Sequence, residues 1–307
     1  MRILVTGGCG YIGSALVPEL LRAGHTVHVI DAMWFGCNLM PHEKLCVAEC
    51  DLRSVKSVLH YDCVIHLAAV ANDPCCELDP KLTWEVNALA TERLIDAAAR
   101  SGVPRFIYAS SGSVYGVKPD NIVVTEELNC NPISEYNKTK MVAERVCLSY
   151  SDQMVVQILR PATVCGRSSR TRLDVAVNAL TISALSMGEI KVFGGEQLRP
   201  NLHIEDMVRA YLHMLEHPEF AGVYNVGFEN YTINHIASLV QQYCGGRIVT
   251  ERSIDIRSYR LNSSKIISTG FKPSRSVTDA IVQLRDAWDA GSLKNTDNGY
   301  NLRVMPR

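Results

Sequence analysis

The first half of the chain alternates short apolar stretches with stretches whose apolar positions follow a helical period. Residues 2–6 are apolar and β-branched, as in a buried strand, and a run of glycines ends them. Residues 11–23 place apolar side chains at helical spacing, and residues 25–30 form a second apolar run. Further strands are predicted at 45–48, 64–67, 106–109 and 155–159, and helices at 54–59, 82–100 and 135–149. This alternation predicts an α/β fold with a doubly wound parallel sheet.

The pattern changes after residue 160. A polar, basic loop at 168–172 interrupts it. Helices are then predicted at 174–187, 205–215, 232–244 and 277–290, strands at 190–193 and 223–226, and a frayed tail from residue 295. We therefore predict a large N-terminal domain, residues 1–165, to which the chain is expected to return at about 200–226. Residues 166–199 and 227–307 would form a smaller C-terminal α/β substrate lobe.

The glycines after the first strand give the first chemical signal. The predicted cofactor residues of this loop and the helix start are Gly7, Gly10, Tyr11, Ile12 and Gly13. Glycines permit a tight turn and a close approach to pyrophosphate, and the helix offers free N–H groups. Asp31 ends the next strand, where it can accept hydrogen bonds from the adenosine ribose and would repel a 2′-phosphate. The first strand, the glycine loop, the helix and the second strand together predict a Rossmann-type site that favours NAD over NADP.

Two later strand ends are expected at the same edge of the sheet. Asp51-Leu52 follows a predicted strand, where the acid either contacts adenine or is an ordinary loop residue. Leu67, Ala68 and Ala69 end another strand, and the small side chains would let a cofactor lie against its tip. We interpret His66, just before them, as a packed strand histidine rather than a catalyst.

A serine cluster and a tyrosine–lysine pair predict the reacting end of the site. The cluster at 110–116 follows a predicted strand, at the edge where such sheets bind ligands. Tyr136 and Lys140 lie four residues apart on a predicted helix and so share one face. The ammonium is expected to lower the tyrosine pKa toward neutrality, so that the phenolate can act as a general base.

In this order, the motifs resemble those of the extended short-chain dehydrogenase/reductase family, in its nucleotide-sugar epimerase and dehydratase branch. The resemblance covers nearly the whole chain and rests on Gly7, Gly10, Gly13, Asp31, Asp51-Leu52, 66–69, Asn87, 110–116, Tyr136, Lys140, 159–166, 199–206 and 225–227. It implies NAD as cofactor, a nucleotide-diphosphate sugar as substrate, and a homodimer. The helices near 82–100 and 135–149 would pair into a four-helix bundle.

The resemblance also assigns roles to residues. It implies that Tyr136 is the catalytic base, that Lys140 holds the nicotinamide ribose, and that Ser111 orients the sugar oxygen, with Ser110 and Ser113 as alternatives to Ser111. The implied cofactor contacts in this part of the chain are Asn87, Ser110, Tyr136, Lys140 and Pro161, although Asn87 could instead be an ordinary polar helix residue.

Substrate contacts are implied in the later part of the chain. Arg199 matches an arginine that contacts the nucleotide diphosphate, and Arg252 and Arg257 compete for a second such role. A plain surface arginine is the alternative for each of the three. Asn178 and the Arg172-x-Asp174 before it could face the sugar or base. The full set of expected substrate contacts is Ser111, Ser113, Tyr136, Asn178, Arg199, Arg252 and Arg257.

The residues after Ser111 bear on the reaction. In the family, a hydride commonly leaves C4 of the sugar as the tyrosine takes the hydroxyl proton. A 4,6-dehydratase typically carries Asp-Glu after its Ser/Thr, whereas Gly112 and Ser113 stand here and offer no carboxylate. We therefore expect an NAD-dependent nucleotide-sugar epimerase that works at C4 through a transient 4-keto sugar. The alternatives are a 4-dehydrogenase, a reductase or a 4,6-dehydratase, and, in another class, a non-catalytic NAD-sensing or scaffold protein.

Two features depart from the family pattern. Cys165 stands where the family commonly has tyrosine, and residues 72–76 form an unusual loop in which Asp73 or Cys75 could touch the substrate. A structural loop is the alternative. Because of these departures, the sugar should not be assumed to be UDP-galactose.

Composition narrows the class of protein. The chain is 47% hydrophobic and 21% charged with a net charge of -1, which gives no basic stripe for nucleic acid. No apolar run approaches the ~20 residues of a membrane span. The 11 cysteines are scattered and form no CxxC pair, so neither a disulfide framework nor a metal site is expected. Reduced thiols and the lack of a signal-peptide pattern favour the cytoplasm.

Overall fold

The structure is a computed structural model that describes residues 1–58, 60–119, 122–252 and 258–305. The strands are β1 Arg2–Thr6, β2 Thr26–Asp31, β3 Leu45–Glu49, β4 Cys63–His66, β5 Arg105–Ala109, β6 Val123–Val124, β7 Val155–Pro161, β8 Thr163–Cys165, β9 Glu189–Phe193, β10 Leu198–His203, β11 Gly222–Val226, β12 Glu229–Thr232, β13 Arg247–Glu251 and β14 Arg260–Leu261. The helices are α1 Gly13–Arg22, α2 Asp73–Leu78, α3 Pro80–Trp84, α4 Ala90–Arg100, α5 Glu135–Leu148, α6 Ala176–Met187, α7 Ile204–Glu216, α8 Ile233–Cys244, α9 Ser264–Ser268, α10 Val277–Asp289 and α11 Asn301–Val304.

The large sheet has seven strands in the order β11-β7-β5-β4-β1-β2-β3. Every neighbouring pair is parallel, as in the register that places Ile3 opposite both Val27 and Cys63. The chain leaves β1 toward β2 and β3, then crosses back to β4 on the other side. The direction of winding thus reverses between β1 and β4, where such sheets bind ligands. The predicted Rossmann-type fold is confirmed.

Buried side chains cover both faces of this sheet. Ile3 of β1 packs in one apolar cluster with Leu16 of α1 and Met214 of α7. Its neighbour Leu4 points to the opposite face and packs with Leu94 of α4. Successive strand residues face opposite sides, so a strand buried on both faces must be apolar throughout. This explains the uninterrupted apolar run of β1.

A smaller cluster of helices lies beyond the sheet. Helices α6, α8 and α10 pack with β9 through Val177, Ile236, Ile281 and Ile190. Strand β9 pairs in parallel with β13, and β10 lies between β8 and β12. Strand β11 pairs with β7 and so brings the chain back to the large sheet.

The structure differs from the prediction in several stretches: the loop expected at 72–76 leads into helix α2, a π turn at Glu85–Leu89 interrupts the helix expected at 82–100, and two further stretches differ as follows. The helix expected at 54–59 is absent from its described part: Leu52–Ser54 is a single 3-10 turn, and 55–58 has no regular structure. The Asp51 carboxylate accepts the Arg53 N–H at 2.8 Å and closes that turn. The tail expected to fray instead forms a turn at Asp297–Gly299 and then α11, where Asn301 is buried. Helix α11 has only four residues, so its buried side chain produces no periodic pattern of apolar positions from which a helix could be predicted.

A buried ion pair fixes α5 to the sheet. Glu144 of α5 accepts from Arg160 of β7 at 2.8 Å (Nε) and 2.5 Å (Nη2), and the two side chains are only 2% and 7% exposed. The Ser110 hydroxyl, just after β5, also donates to Glu144. Arg160 Nη1 donates to the Tyr115 hydroxyl at 2.7 Å, which donates to Asn225 of β11 at 2.8 Å. One polar network therefore joins the ends of β5, β7 and β11 to α5.

We expect Arg160→Leu to lower the free energy of unfolding by about 3–5 kcal/mol, because it leaves the Glu144 carboxylate buried without its cation. Urea unfolding measures this. The matched control is Arg100→Leu, which breaks an exposed pair with Asp96 of 2.7 Å and should cost about 1 kcal/mol or less. The double change Arg160→Leu with Glu144→Leu should recover part of the loss. Equal losses at the two arginines would contradict this role of the buried pair.

Candidate active site

The glycine loop between β1 and α1 is shaped by close contacts that exclude side chains. A Cβ on Gly7 would lie 2.6 Å from the Ala68 backbone nitrogen, and a Cβ on Gly13 would lie 2.4 Å from the Gly7 carbonyl oxygen. Gly7 also has a φ of 73°, which favours glycine. No side chain caps α1 at Ile12. The Ser14 and Ala15 N–H groups donate to the Gly10 and Ile12 carbonyls, so the N–H groups of Ile12 and Gly13, just before them, are the ones available for a phosphate.

Asp31 is held at the end of β2 by backbone N–H groups. Its Oδ2 accepts from Cys9 at 2.9 Å and its Oδ1 accepts from Met33 at 2.8 Å. Burial raises the Asp31 pKa, and these two hydrogen bonds oppose that rise. Each carboxylate oxygen keeps a free lone pair, which suits a pair of ribose hydroxyls.

A cleft of about 1070 Å³, counted with its open mouth, runs along the carboxyl ends of β1, β2 and β4. The predicted cofactor residues that line it are Gly7, Gly10, Tyr11, Ile12, Gly13, Asp31, Asp51, Leu52, Leu67, Ala68 and Ala69. Backbone donors at one end and a fixed carboxylate acceptor at the other match the two halves of an adenosine diphosphate. The residues present therefore fit NAD.

Ser111, Tyr136 and Lys140 come together at the carboxyl end of β5. Ser111 follows the strand, and its hydroxyl acts to lower the Tyr136 pKa. Lys140 Nζ donates to the Ala109 carbonyl at 2.8 Å and lies 5.9 Å from the centroid of the Tyr136 ring. Ala109 itself lines the cofactor cleft. Helix α5 begins after Ser134, whose hydroxyl accepts the Asn137 N–H and caps the turn that carries Tyr136.

The electrostatics of this group differ from the prediction. Burial, reinforced by Cys76, raises the Tyr136 pKa above its ordinary value, and this outweighs the charge of Arg172 and the hydrogen bond with Ser111. Burial also lowers the Lys140 pKa to about 8. The expectation that Lys140 brings the tyrosine pKa down toward neutrality is therefore wrong for this arrangement, because desolvation acts on both groups against their charged forms.

Asn87 and His66 support the neighbouring backbone. Asn87 lies in a π turn, Glu85–Leu89, between α3 and α4, and its amide both accepts from the Val70 N–H at 2.8 Å and donates to the Val70 carbonyl at 2.9 Å. His66 is hydrogen-bonded to Thr6 and Thr91, and burial lowers its pKa to about 3. His66 is thus a neutral packed residue, as interpreted from the sequence.

Several other predicted contacts lie outside the lining of the cleft. Ser110 gives its hydroxyl hydrogen to Glu144, and Pro161 ends β7. Ser113 Oγ is 2.7 Å from Ser111 Oγ and also donates to Asn137. The Ser110 and Ser113 side chains thus form hydrogen bonds around Ser111 and helix α5, and they do not line the cofactor cleft.

The predicted substrate residues are dispersed. Asn178 is fully buried: its Oδ1 accepts from Gly166 at 2.9 Å and its Nδ2 donates to the Arg172 carbonyl at 2.7 Å. The predicted contact of Asn178 with the sugar or base does not fit this geometry, since its amide holds the loop before α6. Arg199 is half-buried in β10, and Arg252 is exposed after β13. Arg257 lies outside the described residues.

The cleft has further wall residues that the sequence does not predict as cofactor contacts, among them Trp34, Phe35, Arg170, Arg172 and Asn301. They belong to the loop after β2, the loop after β8 and the C-terminal tail. For Arg170 and Arg172, the sequence offers only the basic composition of residues 168–172, which does not indicate which ligand the loop faces. Within the described ranges, no helix is long and apolar enough to cross a membrane and no group of side chains could hold a metal ion.

Comparisons with known proteins agree with this site. Residues 3–227 match the model of the NAD dependent epimerase/dehydratase family, and the chain belongs to that family. It is 30% identical to the uncharacterized UDP-glucose epimerase YtcB of Bacillus subtilis (strain 168), over 92% of this chain and 96% of that protein. It is 27% identical to the UDP-glucose 4-epimerase of Lactobacillus helveticus, over 98% and 99%.

The protein MoeE5, solved in complex with UDP-glucuronic acid and NAD, has a TM-score of 0.85 and 29% identity, with 95% of this chain and 100% of that chain covered. A second structure of MoeE5 contains UDP-glucose and NAD. The expected family, an enzymatic function and NAD as the cofactor are thereby confirmed.

We expect Gly13→Ala to lose NAD, because its methyl group would collide with the Gly7 carbonyl oxygen and force the loop open. Nucleotide released from the denatured protein, per mole of chain, measures this. Gly270→Ala is the control: that glycine is exposed, has a φ of +94° and would meet no atom within 4 Å. It should cost about 1–2 kcal/mol of stability and keep NAD. Full NAD content in Gly13→Ala would refute the close-approach argument.

Lys140 should make stability depend on pH. Its folded pKa of about 8 lies below the ordinary lysine value, so between the two the unfolded chain binds more protons and the free energy of unfolding rises with pH. Relative to Lys140→Met, the wild type should therefore gain about 1.4 kcal/mol per pH unit within this window. Urea unfolding at about pH 7 and about pH 10 tests this. Lys138→Met, which removes an exposed ammonium from the same helix, is the control. A difference that stays constant with pH would contradict the burial of the Lys140 charge.

Proposed function

We propose that this protein is an NAD-dependent epimerase that inverts C4 of a UDP-sugar through a transient 4-keto sugar. The relatives include UDP-glucose 4-epimerases, and MoeE5 binds UDP-glucose and UDP-glucuronic acid. The observation that carries the proposal is the grouping of Ser111, Tyr136 and Lys140 at the end of β5, beside a cleft that fits NAD.

The three side chains divide the work at one sugar hydroxyl. NAD held by the glycine loop and Asp31 would supply the hydride acceptor for the sugar carbon, and its reduced form would supply the hydride for the opposite face of the ring. Tyr136 takes the hydroxyl proton as the ketone forms and gives it back afterwards. Ser111, whose hydroxyl acts on the Tyr136 pKa, is placed to orient the same oxygen. The Lys140 ammonium, held by the Ala109 carbonyl, favours the phenolate as the proton moves.

The turn after Ser111 supports epimerisation over dehydration. Elimination of water needs an added acid and base near the sugar. In this structure, Gly112 and Ser113 follow Ser111 in a 3-10 turn, and the Ser113 hydroxyl is engaged with Ser111 and Asn137. This turn therefore supplies hydrogen bonds and no carboxylate.

Three expectations from the sequence stay proposals. The first is the division of the chain into two domains. The N-terminal domain would comprise residues 1–165 and a return at about 200–226, and the substrate lobe would comprise residues 166–199 and 227–307. The homodimer that pairs the α4 and α5 regions is another, and a cytoplasmic location is the third. Arg199, Arg252 and Arg257 are likewise kept as proposed contacts for the nucleotide diphosphate.

The proposed reaction can be followed by NMR in deuterated water with UDP-glucose and UDP-glucuronic acid. The 4-epimer should form without deuterium on any ring carbon, since the hydride is returned internally. Tyr136→Phe should reduce turnover by about 100-fold or more and keep its NAD, because it removes only the proton acceptor. The control is Tyr150→Phe, which removes a phenol just after α5, 3.5 Å from Asp96.

Other outcomes would redirect or end the proposal. Deuterium at C5 or loss of water would indicate dehydratase chemistry, and net accumulation of reduced nicotinamide with a keto sugar would indicate a dehydrogenase. Unchanged turnover in Tyr136→Phe would remove that residue from the mechanism.

A further inference from the structure

Arg170 places a buried positive charge in the wall of the cofactor cleft. It lies in the loop between β8 and α6, is 3% exposed, and lines the same cleft as Gly10 and Gly13. Its Nη2 donates to Asn301 Oδ1 at 2.7 Å, whereas its buried Nε has no acceptor. Among the residues that the structure describes, no carboxylate forms an ion pair with it. The guanidinium is therefore buried without a direct ion pair, although the charges of Asp174 and Asp31 act on it from a distance.

Such an arrangement is unfavourable for the protein alone. Burial, with the charge of Arg172, lowers the Arg170 pKa to about 10, so the group is still a cation at neutral pH. Arg172, two residues on, has a carboxylate partner in Asp174 at 2.8 Å. Burial of a cation that lacks a direct ion pair is unfavourable, and an anionic ligand would offset this cost. The contrast between the two arginines indicates that Arg170 faces a ligand.

The position of Arg170 identifies which part of the ligand it faces. Its backbone N–H donates to Ser14 Oγ at 3.2 Å, which sets the residue beside the first turn of α1. Its guanidinium carbon lies 3.7 Å from the centroid of the Phe35 ring. Stacking on an aromatic face fixes the plane of the guanidinium and leaves donors at its edge, a geometry suited to phosphate oxygens. The first turn of α1 is also where the glycine loop would hold a pyrophosphate.

We propose that Arg170 is a cofactor-binding residue that donates charge-assisted hydrogen bonds to the pyrophosphate of NAD, beside the first turn of α1. The dinucleotide is thereby held between the large sheet and the loop that leads into α6. This inference rests on the proposed function, in which the same NAD serves successive turnovers and must not dissociate. Arg170 would supply that retention.

The test compares the ligand affinities of NAD-stripped wild type, Arg170→Gln, Arg170→Lys and Arg167→Gln by calorimetry. Arg167 is an exposed arginine of the same loop, so its variant removes an equal charge outside the cofactor cleft. Arg170→Gln should weaken NADH and ADP by roughly 10- to 100-fold and leave adenosine unchanged, because adenosine lacks the pyrophosphate. The affinities of Arg170→Lys for NADH and ADP should lie between those of wild type and Arg170→Gln. The loss of affinity in Arg170→Gln should become smaller as the salt concentration is raised.

The outcomes separate this inference from the function on which it rests. Wild type that binds no NADH would end both. Wild type that binds NADH, with an Arg170→Gln variant of equal affinity for NADH and ADP, would overturn only the role of Arg170. Equal losses for adenosine and ADP in both Arg170 variants would show that the arginine merely supports the fold, and would also overturn it. Adenosine affinity at the wild-type level shows that the cleft of each variant is intact.

Discussion

The buried contact between Glu144 and Arg160 is the constraint on which the rest of the site depends. Helix α5 carries Tyr136 and Lys140, and Glu144 lies one turn beyond Lys140 on the same helix. By accepting from Arg160 and Ser110 together, the carboxylate fixes α5 relative to the ends of β7 and β5. A helix held only by apolar side chains can shift along its axis, whereas directional bonds to one carboxylate define its position. The geometry at the reacting oxygen follows from this attachment.

Charge is used differently at the two ends of the cleft. At the reacting end, burial opposes ionisation of both groups, because it raises the pKa of Tyr136 and lowers the pKa of Lys140. At the adenosine end, Asp31 is held by backbone N–H groups, and the positive charge of Arg170 also favours its ionised form. Arg170 lines the same cleft, and its buried Nε has no acceptor. The cleft thus offers an acceptor in Asp31 and a donor in Arg170, and Lys140 adjoins it through the Ala109 carbonyl.

The sequence was informative wherever a local rule determines the structure. The run of β1, the glycines of the loop and the four-residue spacing of Tyr136 and Lys140 each follow from the backbone geometry of one element, and the fold and the cofactor loop could be predicted from them. Asn178 and Arg170 could not be assigned, because their roles depend on residues more than a hundred positions away, such as Tyr11 and Asn301. The direction of the Tyr136 pKa shift cannot be predicted from the sequence for a related reason. The four-residue spacing reveals the nearby Lys140, but it does not reveal how deeply the two side chains are buried.

The location of Asn301 in the wall of the cleft has a consequence for the synthesis of the chain. The strands that begin the site lie within the first seventy residues, and the ribosome releases them early. The side chain that contacts Arg170 and the Ala71 carbonyl emerges roughly two hundred and thirty residues later. At translation rates of about 5–20 residues per second, the glycine loop is exposed for roughly ten to fifty seconds before this wall is present. Cofactor loading of the complete cleft is thus confined to the end of translation or later.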